Sequence, residues 1–218
     1  NVLKRIIIIL LSLGIFNKLF AEDFAPSTQT GQILFTEEST LTINSGVTLG
    51  SLTTQNRAHI NSQSDSSVTV NSGGTILSLH NAVQGADATR LTVTNSGTIR
   101  AAGEKAINLK DNIGSTITNN SGGIIRSGTG DTISGEQDTG DETSGNTITN
   151  SGTIYSDDQR AINFFSDATT TTVTNNSSGH IYNSNTNETI KLDTSSTLTN
   201  SGKIENKDSA DNNSVLLI

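Results

Sequence analysis

The sequence contains no cysteine, methionine or tryptophan, one proline, and only 4% aromatic residues in 218 positions. Without cysteine, no disulfide can hold the fold together, and none can lock the chain early as it crosses an oxidising compartment. Hydrophobic residues make up only 31%, less than a globular sandwich of this length normally carries for its core. A solenoid needs fewer, because each coil buries only a thin column of aliphatic side chains.

Basic residues are also scarce, with 13 Lys and Arg against 21 Asp and Glu and a net charge of -8. Lys4, Arg5 and Lys18 lie in residues 1–21, which hold no acid, so the rest of the chain carries a net charge of -11. A surface this acidic repels phosphate backbones and anionic lipid. We therefore expect no nucleic-acid partner.

Residues 1–21 have the pattern of a secretory signal helix. Lys4 and Arg5 precede an apolar run, Ile6–Phe16, that is too short to span a bilayer comfortably. Cleavage is expected after Ala21, although an uncleaved membrane anchor is the alternative. Residues 22–35 are then a lead-in, and its last part, Gln32–Phe35, is predicted to form a strand that caps the first coil.

The stretch 91–100 (LTVTNSGTIR) is one copy of a unit that recurs along the chain. Successive copies are 23 to 29 residues apart when they are aligned on a glycine, and periods in this range indicate a solenoid. The aligned glycines are Gly46, Gly74, Gly97, Gly123, Gly152, Gly179 and Gly202.

Aliphatic residues keep fixed offsets from this glycine. In six of the seven copies an isoleucine lies two positions beyond it. Ahead of the glycine, each of five aliphatic residues lies between two threonines: Val93, Ile117, Ile148, Val173 and Leu198. Alternation of this kind places the aliphatic inward and both threonines outward. The chain is therefore predicted to be all-β, with residues 36–218 forming about seven coils of a parallel β-helix. Disorder and an antiparallel sandwich are the alternatives.

Asparagine and glycine mark the corner of each coil, because both residues tolerate left-handed backbone angles. Stacked asparagines are also expected to form a ladder of amide hydrogen bonds. Besides the aligned glycines, the predicted turn positions are Asn44, Asn71, Asn95, Asn119, Asn150, Asn175 and Asn200.

Catalytic and metal-binding patterns are absent from the sequence, so no catalytic residue, metal or cofactor is predicted. His59, His80 and His180 lie at different places in their coils and are expected to be solvated. A β-helix hydrolase would place carboxylates on adjacent coils of one face; Asp111 and the stretch 157–160 (DDQR) fit this only loosely. The acidic loop Ser134–Asn146 matches no calcium motif and is predicted to protrude.

Five successive coils carry Thr-x-Thr-Asn, beginning at Thr92, Thr116, Thr147, Thr172 and Thr197. Stacking would align these threonines in two outward columns, which resemble the ice-binding faces of β-solenoid antifreeze proteins. The simpler interpretation is that threonine is a soluble residue that suits parallel sheets.

The export signal followed by tandem Leu/Val-Thr-Asn-Ser-Gly-Thr-Ile coils resembles the passenger regions of bacterial autotransporters, which use type V secretion. The resemblance covers residues 36–218. It implies a right-handed parallel β-helix, a C-terminal outer-membrane β-barrel in the full-length chain, and location at the outer membrane, cell surface or outside of a Gram-negative bacterium.

This resemblance favours a non-enzymatic passenger fragment that acts in adhesion or surface display, with a surface glycan or protein as partner. A polysaccharide-acting hydrolase or lyase and an ice-binding solenoid are the alternatives. The chain ends at 215–218 (VLLI), as if within a strand, so we expect further sequence downstream.

Overall fold

The computed structural model describes residues 21–23, 33–34, 40–52, 60–61, 65–85, 90–135, 144–164, 169–208 and 215–217. Within these residues every regular element is a strand, and no helix is long and apolar enough to cross a membrane. The strands, in chain order, are β1 Ala21–Asp23, β2 Ile33–Leu34, β3 Thr40–Ile43, β4 Thr48–Gly50, β5 Ile60–Asn61, β6 Ser67–Val70, β7 Thr75–Ser78, β8 Val83–Gln84, β9 Thr92–Asn95, β10 Thr98–Ala101, β11 Ile107–Asn108, β12 Thr116–Asn119, β13 Ile124–Ser127, β14 Ile133–Ser134, β15 Ser144–Asn150, β16 Thr153–Ser156, β17 Ile162–Phe164, β18 Thr169–Asn175, β19 His180–Asn183, β20 Ile190–Leu192, β21 Thr197–Asn200, β22 Lys203–Asn206 and β23 Leu216–Leu217.

The described strands form three parallel sheets. Sheet A has the order β1-β3-β6-β9-β12-β15-β18-β21, sheet B has β4-β7-β10-β13-β16-β19-β22, and sheet C has β2-β5-β8-β11-β14-β17-β20-β23. From β3 onward the chain visits A, B and C in turn, so coil 1 is β3–β5 and coil 7 is β21–β23. Strands stack about 4.8 Å apart, and seven coils therefore make a rod about 30 Å long.

The predicted parallel β-solenoid is confirmed, with every sheet strand paired to its counterpart one coil away. The predicted capping segment contains β2, which pairs with β5 of coil 1. Of the predicted export signal, only Ala21 belongs to the described residues, where it begins β1. Of the predicted acidic loop, Ser134–Asn146, residues 136–143 lie outside the described residues.

Alternation along the strands of sheets A and B produces the core. In β12, for example, the inward side chains of Ile117 and Asn119 are fully buried, whereas Thr116 is exposed. The same pattern in each coil stacks one aliphatic side chain upon another. Sheet A contributes Leu41, Val68, Val93, Ile117, Ile148, Val173 and Leu198, and sheet B contributes Leu49, Ile76, Ile99, Ile125, Ile154, Ile181 and Ile204.

Sheet C is more fully enclosed than the other two sheets. Its strands in coils 3 to 5 are buried on both faces. Phe164, at the end of β17, is the largest side chain buried below 2% exposure. Leu198 and Ile204 of coil 7 are only partly buried, because they belong to the last coil of sheets A and B.

Neighbouring isoleucines in β13 test this division into faces. Ile125 is 0% exposed and Ile124 is 37% exposed. We expect Ile125→Ala to lower the free energy of unfolding by about 3 kcal/mol, because it leaves a cavity between coils. Ile124→Ala is the matched control and should cost less than about 1 kcal/mol. Urea denaturation of both variants measures the difference, and equal losses would contradict the assigned register.

Candidate binding surfaces

A ladder of buried asparagines runs along the corner between sheets A and B. Asn95, Asn119, Asn150, Asn175 and Asn200 occupy one register position in successive coils. Each amide Nδ2 donates to the Oδ1 of the next asparagine, at 2.9, 2.8, 2.9 and 2.8 Å. The first four side chains are fully buried. The ladder therefore satisfies polar groups that would otherwise be costly inside the rod.

Two of the predicted turn asparagines lie outside this ladder. The register pairs Asn95 with Val70, and Val70 with Ile43, so the inward position in coils 1 and 2 is aliphatic. Asn44 and Asn71 occupy the next position, where their exposed side chains are joined by a 2.9 Å hydrogen bond. Alignment on glycine hid this shift, because these two coils have no asparagine at the ladder position and their corner asparagines match Asn120 and Asn176 instead.

The corner glycines also fall into two groups. Gly74, Gly97, Gly123, Gly152, Gly179 and Gly202 share one position, since each carbonyl of the first five accepts a hydrogen bond from the residue that follows the next glycine. In coil 1 the shared position is occupied by Val47, and Gly46 lies one residue before it. Gly46, Gly73 and Gly122 instead have positive φ angles of 78°, 79° and 81° in the longer corners. A Cβ at Gly152 would overlap the carbonyl oxygen of Gly123 in the coil before it.

Sheet A presents an outer face of hydroxyl groups. We define the threonine columns as Thr40, Ser67, Thr92, Thr116, Thr147, Thr172 and Thr197, and, two residues along each strand, Thr42, Thr69, Thr94, Thr118, Thr149, Thr174 and Thr199. The sequence motif predicts columns of five coils, but the register extends them to seven. Coil 1 lacks only the asparagine of the motif, and coil 2 also has Ser67 in place of its first threonine. No charged residue occurs in the seven strands of either column, and Asp23 of β1 is the next register partner beyond Thr42.

The outer face of sheet B carries side chains whose type changes from coil to coil. We define the Arg–Tyr column as Arg100, Arg126, Tyr155, Tyr182 and Glu205, which share one register position in coils 3 to 7. Sequence reasoning missed this column, although each member directly follows the aligned isoleucine of its coil. That offset was the signal available in the sequence.

Ring and cation contacts run along this column. The rings of Tyr155 and Tyr182 are stacked, with centroids 4.6 Å apart and planes 10° from parallel. Arg126 lies over Tyr155 with its guanidinium carbon 4.9 Å from the centroid, and Lys207 Nζ lies 3.4 Å from the centroid of Tyr182. Cations are attracted to ring faces, so the order Arg–Tyr–Tyr–Lys stabilises the column along the rod axis.

Burial, hydrogen bonds and neighbouring charges shift the pKa values of three side chains in the column. Burial acts to lower the pKa of Arg126, but the hydrogen bond to Asp157 and the neighbouring Tyr155 outweigh it, and the pKa is raised. Burial, followed by the charge of Tyr155, raises the pKa of Tyr182. The hydrogen bond from Lys203 is the main cause of the lowered pKa of Glu205.

Several of the described acidic side chains are paired with an arginine or a histidine. The pairs are Asp65–Arg90 at 2.5 Å, Asp157–Arg126 at 2.5 Å, Glu188–Arg160 at 3.0 Å and Glu205–His180 at 2.7 Å. Two hydrolase candidates, Asp157 and Arg160, are thus held in separate pairs. Asp158 is exposed, and Asp111 lies at a turn with a φ of 54°.

Among the described residues, no three His, Asp or Glu side chains are grouped so as to hold a metal ion.

Two of the histidines are paired rather than simply solvated. His80 Nδ1 lies 2.9 Å from Glu104 Oε1, and the side chain of His80 is 31% exposed. His180 lies within β19, between Glu205 and the ring of Tyr182. The third, His59, is outside the described part of the chain.

Comparison of the chain with models of known families, with characterised proteins and with solved structures finds no significant match. Function must therefore be argued from the sequence and from these surfaces.

The amide ladder is tested by truncating one of its members. Asn150→Ala removes the acceptor of the Gly152 N–H and the donor to Asn175 Oδ1, both in buried surroundings. We expect a loss of about 2 kcal/mol in the free energy of unfolding. Asn71→Ala is the control, because Asn71 is exposed and water can replace its bond; it should change stability by less than about 0.5 kcal/mol. If thermal melts place the two variants together, the ladder does not stabilise the fold.

Proposed function

We propose that this chain is a non-enzymatic passenger region of an autotransporter, exported by a Gram-negative bacterium and used for adhesion or surface display. The export signal and the repeated coil motif support this assignment. The observation that carries it is the uninterrupted parallel stacking of the described coils, which makes a rod with long, solvent-facing sheets. Such a rod presents side chains at a fixed spacing.

Coil-by-coil packing also suits export of an unfolded chain. Each described strand pairs only with the strand one coil before or after it. In repeat proteins of this type, folding can begin locally and propagate along the chain. The chain has no cysteine, so no disulfide can form before crossing is complete. A passenger that leaves the outer membrane one segment at a time can therefore fold as it emerges.

The pairing of acids with cations supports a non-enzymatic role. A glycoside hydrolase needs two carboxyl groups on either side of the scissile bond, usually within about 10 Å of each other. In the described residues Asp157 is engaged by Arg126, and Glu188 by Arg160. These acids neutralise neighbouring cations on adjacent coils, which is a structural role.

Export and adhesion can be tested in the bacterium that carries the gene. We expect a protease added to intact cells to digest the tagged protein, and the purified chain to bind glycans or cells. Leu10→Arg, which interrupts the apolar run of residues 6–16, should leave the protein inside the cell. Protection of the unaltered protein from the protease, or absence of binding to every glycan and cell surface tried, would contradict the proposal.

Ice binding is a second candidate, favoured by the extent of the threonine columns. Ice is a repeating lattice, so a protein face that binds it must also repeat. Hydroxyl and methyl groups recur about every 4.8 Å between coils and about every 7 Å along a strand. The columns contain no charge over seven strands, in a protein whose net charge is -8.

A lysine in the middle of the columns decides between this candidate and a merely structural role for threonine. Thr116→Lys places a long charged side chain on the central strand of the face and should abolish any thermal hysteresis of the purified chain. Thr98→Lys is the control, since Thr98 lies on sheet B at a register position that also holds Lys203. The ice-binding candidate is wrong if the unaltered chain shows no thermal hysteresis, or if both variants lose it equally.

A further inference from the structure

Two arginines lie side by side on the outer face of sheet B. Arg100 of β10 and Arg126 of β13 are direct partners in the parallel register. Like charges opposite one another destabilise a sheet. The chain has 21 acidic residues and only 13 basic ones, so two adjacent cations are unexpected on composition alone. A local rule that is broken in this way often marks a functional site.

Within the described part of the chain, only Arg126 of these two arginines is paired with an acidic side chain. Asp157 Oδ2 accepts hydrogen bonds from Arg126 Nη2 at 2.5 Å and from Arg126 Nε at 3.1 Å. Asp157 belongs to coil 5, two coils from Arg100, or about 10 Å along the rod. Arg100 Nε is shielded from solvent and has no hydrogen-bond partner. Within the described residues Arg100 forms no ion pair, so its positive charge is not compensated.

The excess of positive charge extends along the column. Lys203 and Lys207 lie at its far end, beside Glu205. The Arg–Tyr column and its flanking side chains thus hold four cations against two carboxylates, Asp157 and Glu205. The acids elsewhere on the rod oppose an anionic ligand over long distances, but salt screens charges separated by more than about 8 Å at physiological ionic strength.

The ring contacts decide what kind of ligand suits this face. A neutral sugar would stack on an open aromatic face, but Tyr155 and Tyr182 cover one another, and Arg126 and Lys207 lie over their outer faces. The rings therefore offer edges to a ligand, beside a row of cationic groups. This arrangement suits an extended chain of anionic groups that runs parallel to the rod axis. From Arg100 in coil 3 to Glu205 in coil 7, the column is about 20 Å long.

We propose that the Arg–Tyr column binds an acidic polysaccharide, with a carboxylate or sulfate group paired to Arg100 beside the positive charge of Arg126. The choice of a polysaccharide rests on the proposed export of the chain, because acidic glycans are the extended polyanions of cell surfaces. Guanidinium groups suit these ligands, since their planar N–H groups match the two oxygens of a carboxylate or sulfate.

Arg100→Gln is the decisive variant, because Arg100 has no acidic partner among the residues that the structure describes. Calorimetry should detect binding of polygalacturonate and chondroitin sulfate to the unaltered chain, weakening as salt is raised, and no binding of neutral dextran. Arg100→Gln should weaken the binding by about tenfold, the loss expected for one charge-assisted hydrogen bond. Arg160→Gln is the matched control for net charge and should change the affinity by less than about twofold.

Further outcomes separate this proposal from its alternatives. Equal losses in Arg100→Gln and Arg160→Gln would overturn it, since binding would then follow net charge alone. Binding to vesicles containing phosphatidylglycerol, without binding to either glycan, would also overturn it. Circular dichroism checks that both variants fold. Protease accessibility on intact cells tests export separately, so a surface-exposed chain that binds neither acidic glycan contradicts the ligand and leaves the export proposal standing.

Discussion

The structure depends on one constraint: equivalent residues in successive coils must lie directly above one another. Backbone hydrogen bonds between parallel strands set the spacing, and the amides of Asn95 to Asn200 fix the register at one corner. Each buried amide donates to the next asparagine, and Asn119, Asn150 and Asn175 also accept from the asparagine before them. A shift of one residue would place threonine in the core and isoleucine in solvent, and the asparagines would lose their partners.

This constraint applies to the inward positions. The outward residues can therefore vary, and they differ between sheets A and B. Sheet A repeats hydroxyl groups in both outward columns. Sheet B changes along the rod, from Leu77 in coil 2 through Arg126 and Tyr155 to Glu205 in coil 7. Inward side chains of the same strands are aliphatic, serine, alanine or, as at Asn183, asparagine. Variation is therefore confined to positions where it does not disturb stacking, and sheet B is where chemically specific recognition is best argued.

Sequence periodicity was sufficient to predict the parallel coils, the inward aliphatic residues and the amide ladder. It was less reliable for corners, because their length varies. Coil 2 turns through 71–74 (NSGG), whereas coil 3 turns through Ser96 and Gly97 alone. Glycine occurs at both the exposed and the buried place in the longer corner, so Gly46 was aligned with the wrong partner. The isoleucines and valines give the true register, since a side chain in the core cannot shift without opening a cavity.

The Arg–Tyr column shows why the candidate sites were harder to predict than the fold. Its members differ in chemistry, so no repeat in the sequence draws attention to them, and only stacking brings Arg126 of coil 4 against Tyr155 of coil 5. The threonine columns are the opposite case, because their identical residues are visible in the sequence. The outer face of sheet A repeats a neutral hydroxyl group, whereas the outer face of sheet B carries several cations in a protein of net negative charge. Since the two faces belong to different sheets of one rod, a ligand on sheet B leaves the hydroxyl face of sheet A accessible, and the two surfaces can act independently.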